Sequence, residues 1–510
     1  MAESDRPEGP RPAAPMLRLA RQGGLYTLSG IAVKLAGLAL LPLFTDPALL
    51  SQADYGRFQL LEVTAQLLIL VGGLGLAQGL LKFVHDPLHA GDRHALVRTV
   101  LLATVGVAIV LAGLTWMAAG PLAALLTDDP GDVLPVRLMA LYVAFKIVGA
   151  VPLTLLRADE RAGRYVVATV VEATLYVGVS AYLIAGRGMG IAGGMGGYAV
   201  AGAGSLLVLT LLSANAGVEG ARGPRSDLLR PLLRFGLPLA AGALASVALN
   251  AGDRYVLKAL APGGPTAAAE AVALYGLAAK YAGLVNMLFV QSFNLAFSVA
   301  GLKALAGAQG ADMHRRTFRH FAAATGWGVL GVSLLTRDVT EILSPEPAYL
   351  AADRLVLPIA LGYFAYGIYF IAMNVLYAGG RSRAIAGGVG LAAAANIAMN
   401  IVLVPILGPV APALTTLATY VGLAAITLRR ANRVAPVRYA WGALATVLTL
   451  VLGLWLLAQP TTPWPVAARL PARLALIAAY PALLIGLRVY DMAEVRALVA
   501  AGVRRLRPGR

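Results

Sequence analysis

Lys34, Lys146, Lys280 and Arg254 lie inside stretches that are otherwise apolar, and so do the carboxylates Glu62, Glu172 and Asp253. A charge at the centre of a bilayer costs about 2.5–3.5 kcal/mol on insertion scales, so charges at that depth mark functional positions by default. The cations offer positive partners to an anion, and arginine adds a planar fork suited to two-point phosphate contacts. The carboxylates are candidate carriers of a proton or a sodium ion, because a desolvated carboxylate readily takes up a small cation. Asn250, Gln291, Asn294, Asn396 and Asn400 supply neutral hydrogen-bonding groups in the C-terminal half. Each group also has a plainer role open to it. Arg254 can neutralise Asp253, its neighbour Lys258 can reach an interface, a carboxylate can pair with a lysine, and asparagines often only tie helices together.

The elements that must hold these residues are apolar segments of about 20 residues, the length that crosses roughly 30 Å of hydrocarbon. About fourteen are expected: 22–45, 59–82, 97–119, 137–156, 165–186, 190–213, 235–259, 273–298, 318–336, 354–378, 384–405, 410–429, 440–458 and 472–489. Two junctions must be tight turns, one at Gly186-Arg187-Gly188 and one at Leu407-Gly408-Pro409. Of the 42 Lys and Arg residues, 30 fall in or at the ends of alternate connecting segments on one side, nine on the other, and Lys34, Lys146 and Lys280 inside spans. That asymmetry in short loops puts both termini in the cytoplasm. Pro152, Pro238 and Pro358 are candidate bending points, although prolines are commonly tolerated in membrane helices.

Composition narrows the function classes. The 510-residue chain is 59% hydrophobic and 13% charged, against roughly 45–50% and about 25% for soluble domains, which leaves too few polar groups to cover a surface in water. It has no cysteine, hence no disulfide framework and no thiolate metal site. No Gly-Lys-Ser/Thr phosphate loop occurs, and segments between spans are too short for a nucleotide-binding domain, so ATP hydrolysis is not expected. The five histidines show no His-Glu-x-x-His spacing. A net charge of +17 scattered over eight short segments reads as topology and attraction to anionic membrane lipids, not as nucleic-acid binding. No cleavable signal peptide is expected: the first 21 residues are polar and Pro-rich. Short loops also argue against a membrane polymerase or ligase.

An internal repeat is visible. Asp54-Tyr55-Gly56 returns as Leu274-Tyr275-Gly276, an offset of 220, and the same offset carries Lys34 onto Arg254. The segmentation this predicts is a tail (1–21), an N-lobe of six spans (22–213), an inter-lobe loop (214–234), a C-lobe of six spans (235–429), two appended spans (440–489) and a basic tail (490–510). Lobes of six spans share orientation, and a substrate site between repeats is the usual arrangement for alternating access.

Phe235-Gly236-Leu237-Pro238-Leu239, then Asp253-Arg254-Tyr255 and Leu274-Tyr275-Gly276, resembles the seventh and eighth spans of polysaccharide-type (Wzx-type) exporters of the multidrug/oligosaccharidyl-lipid/polysaccharide superfamily. Asp54-Tyr55-Gly56 resembles the family's loop after the first helix, Gly73-Leu74-Gly75-Leu76 its second helix, and Asn396 to Pro405 leading into Ala411-Pro412-Ala413-Leu414 its eleventh and twelfth. Gly408-Pro409-Val410-Ala411-Pro412 departs from the Gly-Ala-Ala turn usual there. The resemblance implies an all-α polytopic membrane protein with two six-helix lobes in a MATE-like arrangement and two C-terminal helices. It implies a flippase, not an enzyme, of the bacterial inner membrane. The cargo it implies is an undecaprenyl-pyrophosphate-linked oligosaccharide, with membrane lipids and polysaccharide polymerase machinery as partners. No cofactor is implied beyond a proton or sodium gradient. On that reading Lys34, Arg254, Lys146 and Lys280 face the headgroup phosphates and Asn250, Gln291, Asn294, Asn396 and Asn400 the sugars, while Glu62, Glu172 and Asp253 couple to the ion. A multidrug or metabolite antiporter of the same fold, and a flippase for a lipid-linked peptidoglycan precursor, are the alternatives. An antiporter for cations would favour an acidic and aromatic lining.

Overall fold

The computed structural model describes residues 36–86, 92–213, 223–295, 297, 310–490 and 494. Among them the structure is all-α, without strands. After a short helix at Leu41–Phe44 come α1 (Gln52–Gly73), α2 (Leu76–Phe83), α3 (Arg93–Met117), α4 (Ala119–Thr127), α5 (Val133–Ala158), α6 (Ala162–Ala181) and α7 (Gly190–Ser213). Then follow α8 (Leu229–Ala251), α9 (Asp253–Leu260), α10 (Gly264–Val285), α11 (Gly310–Leu343), α12 (Asp353–Ala378), α13 (Ser382–Leu407), α14 (Val410–Asn432), α15 (Trp441–Ala458) and α16 (Val466–Gly486). Eleven helices among the described residues are long and apolar enough to cross a membrane, or twelve if the bent pair α1 and α2 is one span. The chain is a multi-pass membrane protein.

Every expected span from the second onward overlaps a helix, and the first, 22–45, lies mostly outside the described residues. α11 is long enough to be the ninth, but Arg319 near one end and Arg337, Asp338 and Glu341 near the other lower its hydropathy below that of the eleven. Pro152, Pro238 and Pro358 sit inside continuous helices. The sharp bend falls elsewhere, at Leu74-Gly75, where α1 and α2 meet at 46° and both residues have positive φ. The two expected turns are present: a π-helical turn over Tyr182–Gly186 runs into Gly188 at φ 64°, and Gly408 at φ 54° ends α13 two residues before α14.

Among the described residues the chain divides into two compact units, one ending at Leu43 and running again from Leu61 to Leu244, the other made of Phe44–Leu60 and the residues from Ala245 onward. In lipid the gain from bringing helices together is close packing, since the surrounding tails are as apolar as leucine, and small residues permit that approach. In the first unit α2 seats Leu76 and Leu80 against Val97 and Val100 of α3, Leu155 of α5 and Leu232 of α8. The approach is backbone to backbone at one point: a Cβ on Gly75 would lie 2.1 Å from the Gly236 carbonyl oxygen, and one on Gly236 2.5 Å from the Gly75 carbonyl oxygen. In the second unit the start of α1 crosses α10 in the same way. A Cβ on Gly56 would lie 1.8 Å from the Ala269 carbonyl oxygen, and one on Gly276 only 1.4 Å from Oε1 of Gln59. The two halves of the 220-residue repeat signature therefore meet each other, joined by Gln59 Nε2 donating to the Ala273 carbonyl at 3.2 Å.

Candidate polar sites within the membrane helices

In the first unit, helix register brings polar groups from α1, α5, α6 and α7 together. Tyr142 and Lys146 are one turn apart on α5, as are Glu172 and Tyr176 on α6, so each pair shares a face. Lys146 Nζ donates to Glu172 Oε1 at 2.7 Å, and Ser205 of α7 donates to Oε2 at 3.1 Å. Tyr198 of α7 donates its hydroxyl to Glu62 Oε1 at 2.9 Å. The Tyr198 ring stacks on Tyr176 at 4.1 Å and lies 4.9 Å from Tyr142, so aromatic rings fill the space between the two carboxylates. Glycines in α7 make this possible: a Cβ on Gly197 would lie 1.9 Å from Ser180 Oγ, and one on Gly204 2.3 Å from Leu175 Cδ1. Here the plainer alternative for Lys146 and Glu172 is realised in part, because each neutralises the other.

In the second unit α8 ends at Ala251 and α9 begins at Asp253, which puts Asn250, Asp253 and Arg254 at one helix junction. Asp253 is 1% exposed and accepts a hydrogen bond from the Tyr275 hydroxyl of α10, while its Oδ1 has no hydrogen-bond partner among the described residues. Arg254 forms no ion pair with Asp253 or any other carboxylate among the described residues, and its Nε is buried without a hydrogen-bond partner. Asn250 Nδ2 donates to the Ser246 carbonyl at 2.7 Å, and its Oδ1 accepts from Tyr420 at 2.7 Å. Tyr420 in turn lies 4.6 Å from the ring of Tyr366 and 6.1 Å from that of Tyr363. This junction thus holds a guanidinium without an ion-pair partner among the described residues and a carboxylate with one oxygen free of hydrogen bonds among them, framed by tyrosines.

The other expected residues are distributed differently. Asn396 and Asn400 are fully buried in a chain of side-chain bonds between α13 and α14: Asn396 to Thr419 at 3.3 Å, Asn400 to Asn396 at 3.1 Å, and Thr415 to Asn400 at 2.9 Å. These two asparagines tie helices together. Lys280 lies 5.3 Å from the ring centroid of Tyr55. A π-helical turn at Asn286–Gln291 leaves Gln291 exposed, and Asn294 beyond it carries a buried Oδ1 with no hydrogen-bond partner among the described residues. Lys34 lies outside the described residues.

One charged cluster escaped the sequence reading. Asp338 of α11 is 1% exposed and lies between two arginines of α16, accepting from Arg469 Nε at 2.6 Å and from Arg473 Nη1 at 3.1 Å. Arg469 also pairs with Glu341, and Arg473 donates to the Leu334 carbonyl at 2.7 Å. Its only trace in the sequence is matched spacing on two distant segments, Asp338 and Glu341 at i,i+3 and Arg469 and Arg473 at i,i+4.

A family model described as polysaccharide biosynthesis protein matches residues 19–297. No curated protein matches the sequence at a significant level. Among solved structures the fold matches the lipid II flippase MurJ in an inward closed conformation, with TM-score 0.69 and 12% identity over 91% of this chain and 100% of that one. It also matches a multidrug resistance MATE family transporter of the MOP superfamily, inward-facing, with TM-score 0.62 and 14% identity over 82% of this chain and 97% of that one. A MOP superfamily transporter from Pyrococcus furiosus matches with TM-score 0.55 and 13% identity over 82% and 95%. At such identities the likeness is one of fold.

Proposed function

The chain belongs to the polysaccharide biosynthesis protein family, and from that premise we propose that it flips a lipid-linked oligosaccharide from the cytoplasmic to the outer face of a bacterial inner membrane by alternating access. The observation that carries the reading is the polar centre at the α8–α9 junction, where Arg254 is without an ion-pair partner among the described residues and Asn250, Tyr363 and Tyr420 lie close by. A lipid diphosphate needs positive partners, and its sugars need hydrogen-bond donors and acceptors while the isoprenoid tail stays in the bilayer. Asp253, with one oxygen open, is the carrier of a proton or sodium ion on this reading, and the basic-residue asymmetry supports cytoplasmic termini. Lys34, Lys146 and Lys280 are the other cations assigned to the phosphates, and polysaccharide polymerase machinery is the downstream partner.

A second reading has its own observation. Glu62 and Glu172 with Tyr142, Tyr176 and Tyr198 form an acidic and aromatic group of the kind a cation antiporter would use. A lipid-linked peptidoglycan precursor remains a cargo of the same chemistry. One experiment separates them. The protein is reconstituted in vesicles holding a fluorescent undecaprenyl-diphosphate oligosaccharide, a fluorescent peptidoglycan precursor or a cationic dye, with a proton or sodium gradient applied. Gradient-dependent reorientation of the oligosaccharide is the expected result. Movement of only the dye, or of only the precursor, overturns the proposal in favour of that alternative.

A further inference from the structure

The first turns of α8 carry a feature that no motif accounted for. Ser226, Arg230 and Arg234 follow one another at i,i+4 spacing and, with Leu229 and Leu233, line a surface groove of about 490 Å³. Both arginines are exposed, and neither makes a hydrogen bond or ion pair among the described residues. The neighbouring acids are already engaged: Arg225 holds Asp227 at 2.6 Å and Asp92 at 2.9 Å. Lys82 of α2 lies 4.2 Å from the ring centroid of Phe235, on the opposite face of α8 from the groove, so the groove's cations are the two arginines. Beyond the groove the helix stays apolar and open. Leu233, Leu237 and Leu244 continue one face, the last two 46% and 38% exposed, and α8 is the least buried of the eleven candidate spans.

We propose that this groove is a loading site for the diphosphate headgroup of a polyisoprenyl lipid, separate from the polar centre at the α8–α9 junction. Two guanidiniums one turn apart present paired donors to adjacent phosphates. The leucine face running down α8 gives the attached chain an apolar track that starts where the headgroup is held. Zwitterionic lipids carry no net charge to satisfy two guanidiniums, and a single phosphate offers them fewer charged oxygens than a diphosphate does. The site deepens the proposed function, because its ligand is the headgroup class assigned there to the cargo.

The test measures binding without transport. Protein in nanodiscs of phosphatidylcholine is titrated with geranylgeranyl diphosphate, with geranylgeraniol and phosphatidylglycerol as competitors, alongside Arg230→Ala, Arg234→Ala, the corresponding lysine variants and Arg433→Ala as a basic-loop control. The expected result is binding that each of the two groove alanine variants weakens at least tenfold, that the lysine variants partly restore, and that Arg433→Ala leaves unchanged, all at matched thermal stability. Geranylgeraniol should not compete. Undiminished affinity in both groove variants would overturn the site while leaving the flippase reading intact. Equal competition by phosphatidylglycerol would overturn the diphosphate assignment alone. Absence of any diphosphate binding by the unmodified protein would overturn the site and count against the cargo, which the vesicle assay above then decides independently.

Discussion

Lys146 and Glu172 stand on successive helices, α5 and α6, and close an ion pair of 2.7 Å that Ser205 completes from α7. Their side chains are 30% and 15% exposed, so the pair is held among membrane helices but is not sealed from its surroundings. Breaking a fully buried pair costs about 3–5 kcal/mol, and replacing both partners by apolar groups is often neutral. Lys146→Met or Glu172→Leu alone should therefore lower thermal stability in detergent, by about 1–3 kcal/mol after discounting for partial exposure. The double variant should recover most of it. If the single variants prove no worse than the double, the charges are not coupled.

Asp253 and Tyr275 give a different separation of roles. Tyr275→Phe removes the hydroxyl that donates to a buried carboxylate, and hydrogen bonds to charged groups contribute about 1.5–3 kcal/mol. Asp253→Asn removes the charge that must be buried, so it should fold at least as well as Tyr275→Phe. Flipping in Asp253→Asn vesicles should lose its dependence on the ion gradient. Retained gradient dependence at matched protein levels would remove Asp253 from coupling.

The two repeat glycines should respond unequally to the same substitution. A Cβ at position 276 meets the end of the Gln59 side chain, which can swing away, whereas a Cβ at position 56 meets the backbone carbonyl of Ala269. Overpacking typically costs about 1–3 kcal/mol, and a backbone obstacle pushes toward the upper end. Gly56→Ala should therefore be the more destabilising, and Gln59→Ala should rescue Gly276→Ala but not Gly56→Ala. Folded yield and melting temperature of the four variants test the ordering.

Asp338 is the strongest candidate for a damaging single change. Its removal leaves Arg473, 2% exposed, without its carboxylate and Arg469 with Glu341 alone. The expected loss for Asp338→Ala is about 3–5 kcal/mol, with α16 becoming accessible to protease first. An apolar replacement of Asp338, Arg469 and Arg473 together should be tolerated far better than Asp338→Ala. Equal damage in the two would argue against a charge clasp.

The membrane class and the helices were legible because the bilayer imposes a length and a hydropathy that each segment states by itself. The family motifs were legible too, but their physical meaning was not. Gly73-Leu74-Gly75-Leu76 and Phe235-Gly236-Leu237-Pro238-Leu239 contain the two glycines whose backbones touch, and the repeat signatures contain the two at the α1–α10 crossing. Periodicity cannot reveal which distant helix a small residue faces. At Asp253 and Arg254 the sequence signal is depth within an apolar span alone, and the structure sets both at the α8–α9 junction. The sequence signal was incomplete at Lys146 and Glu172, where the pairing depends on α5 and α6 lying side by side, and blind at Asp338 with Arg469 and Arg473, which are more than 130 residues apart.

The boundary between the two units cuts through α1 and α8 rather than through a loop. Phe44–Leu60 is counted with the C-terminal unit, and the stretch of α8 up to Leu244 with the N-terminal one. A polypeptide severed in the segment between α7 and α8 would thus yield two fragments, each carrying a piece that the other requires and lacking a piece of its own. Neither half is a module that can be lifted out, and an exchange of halves with a related protein succeeds only if the donor's lent segment fits the recipient's gap.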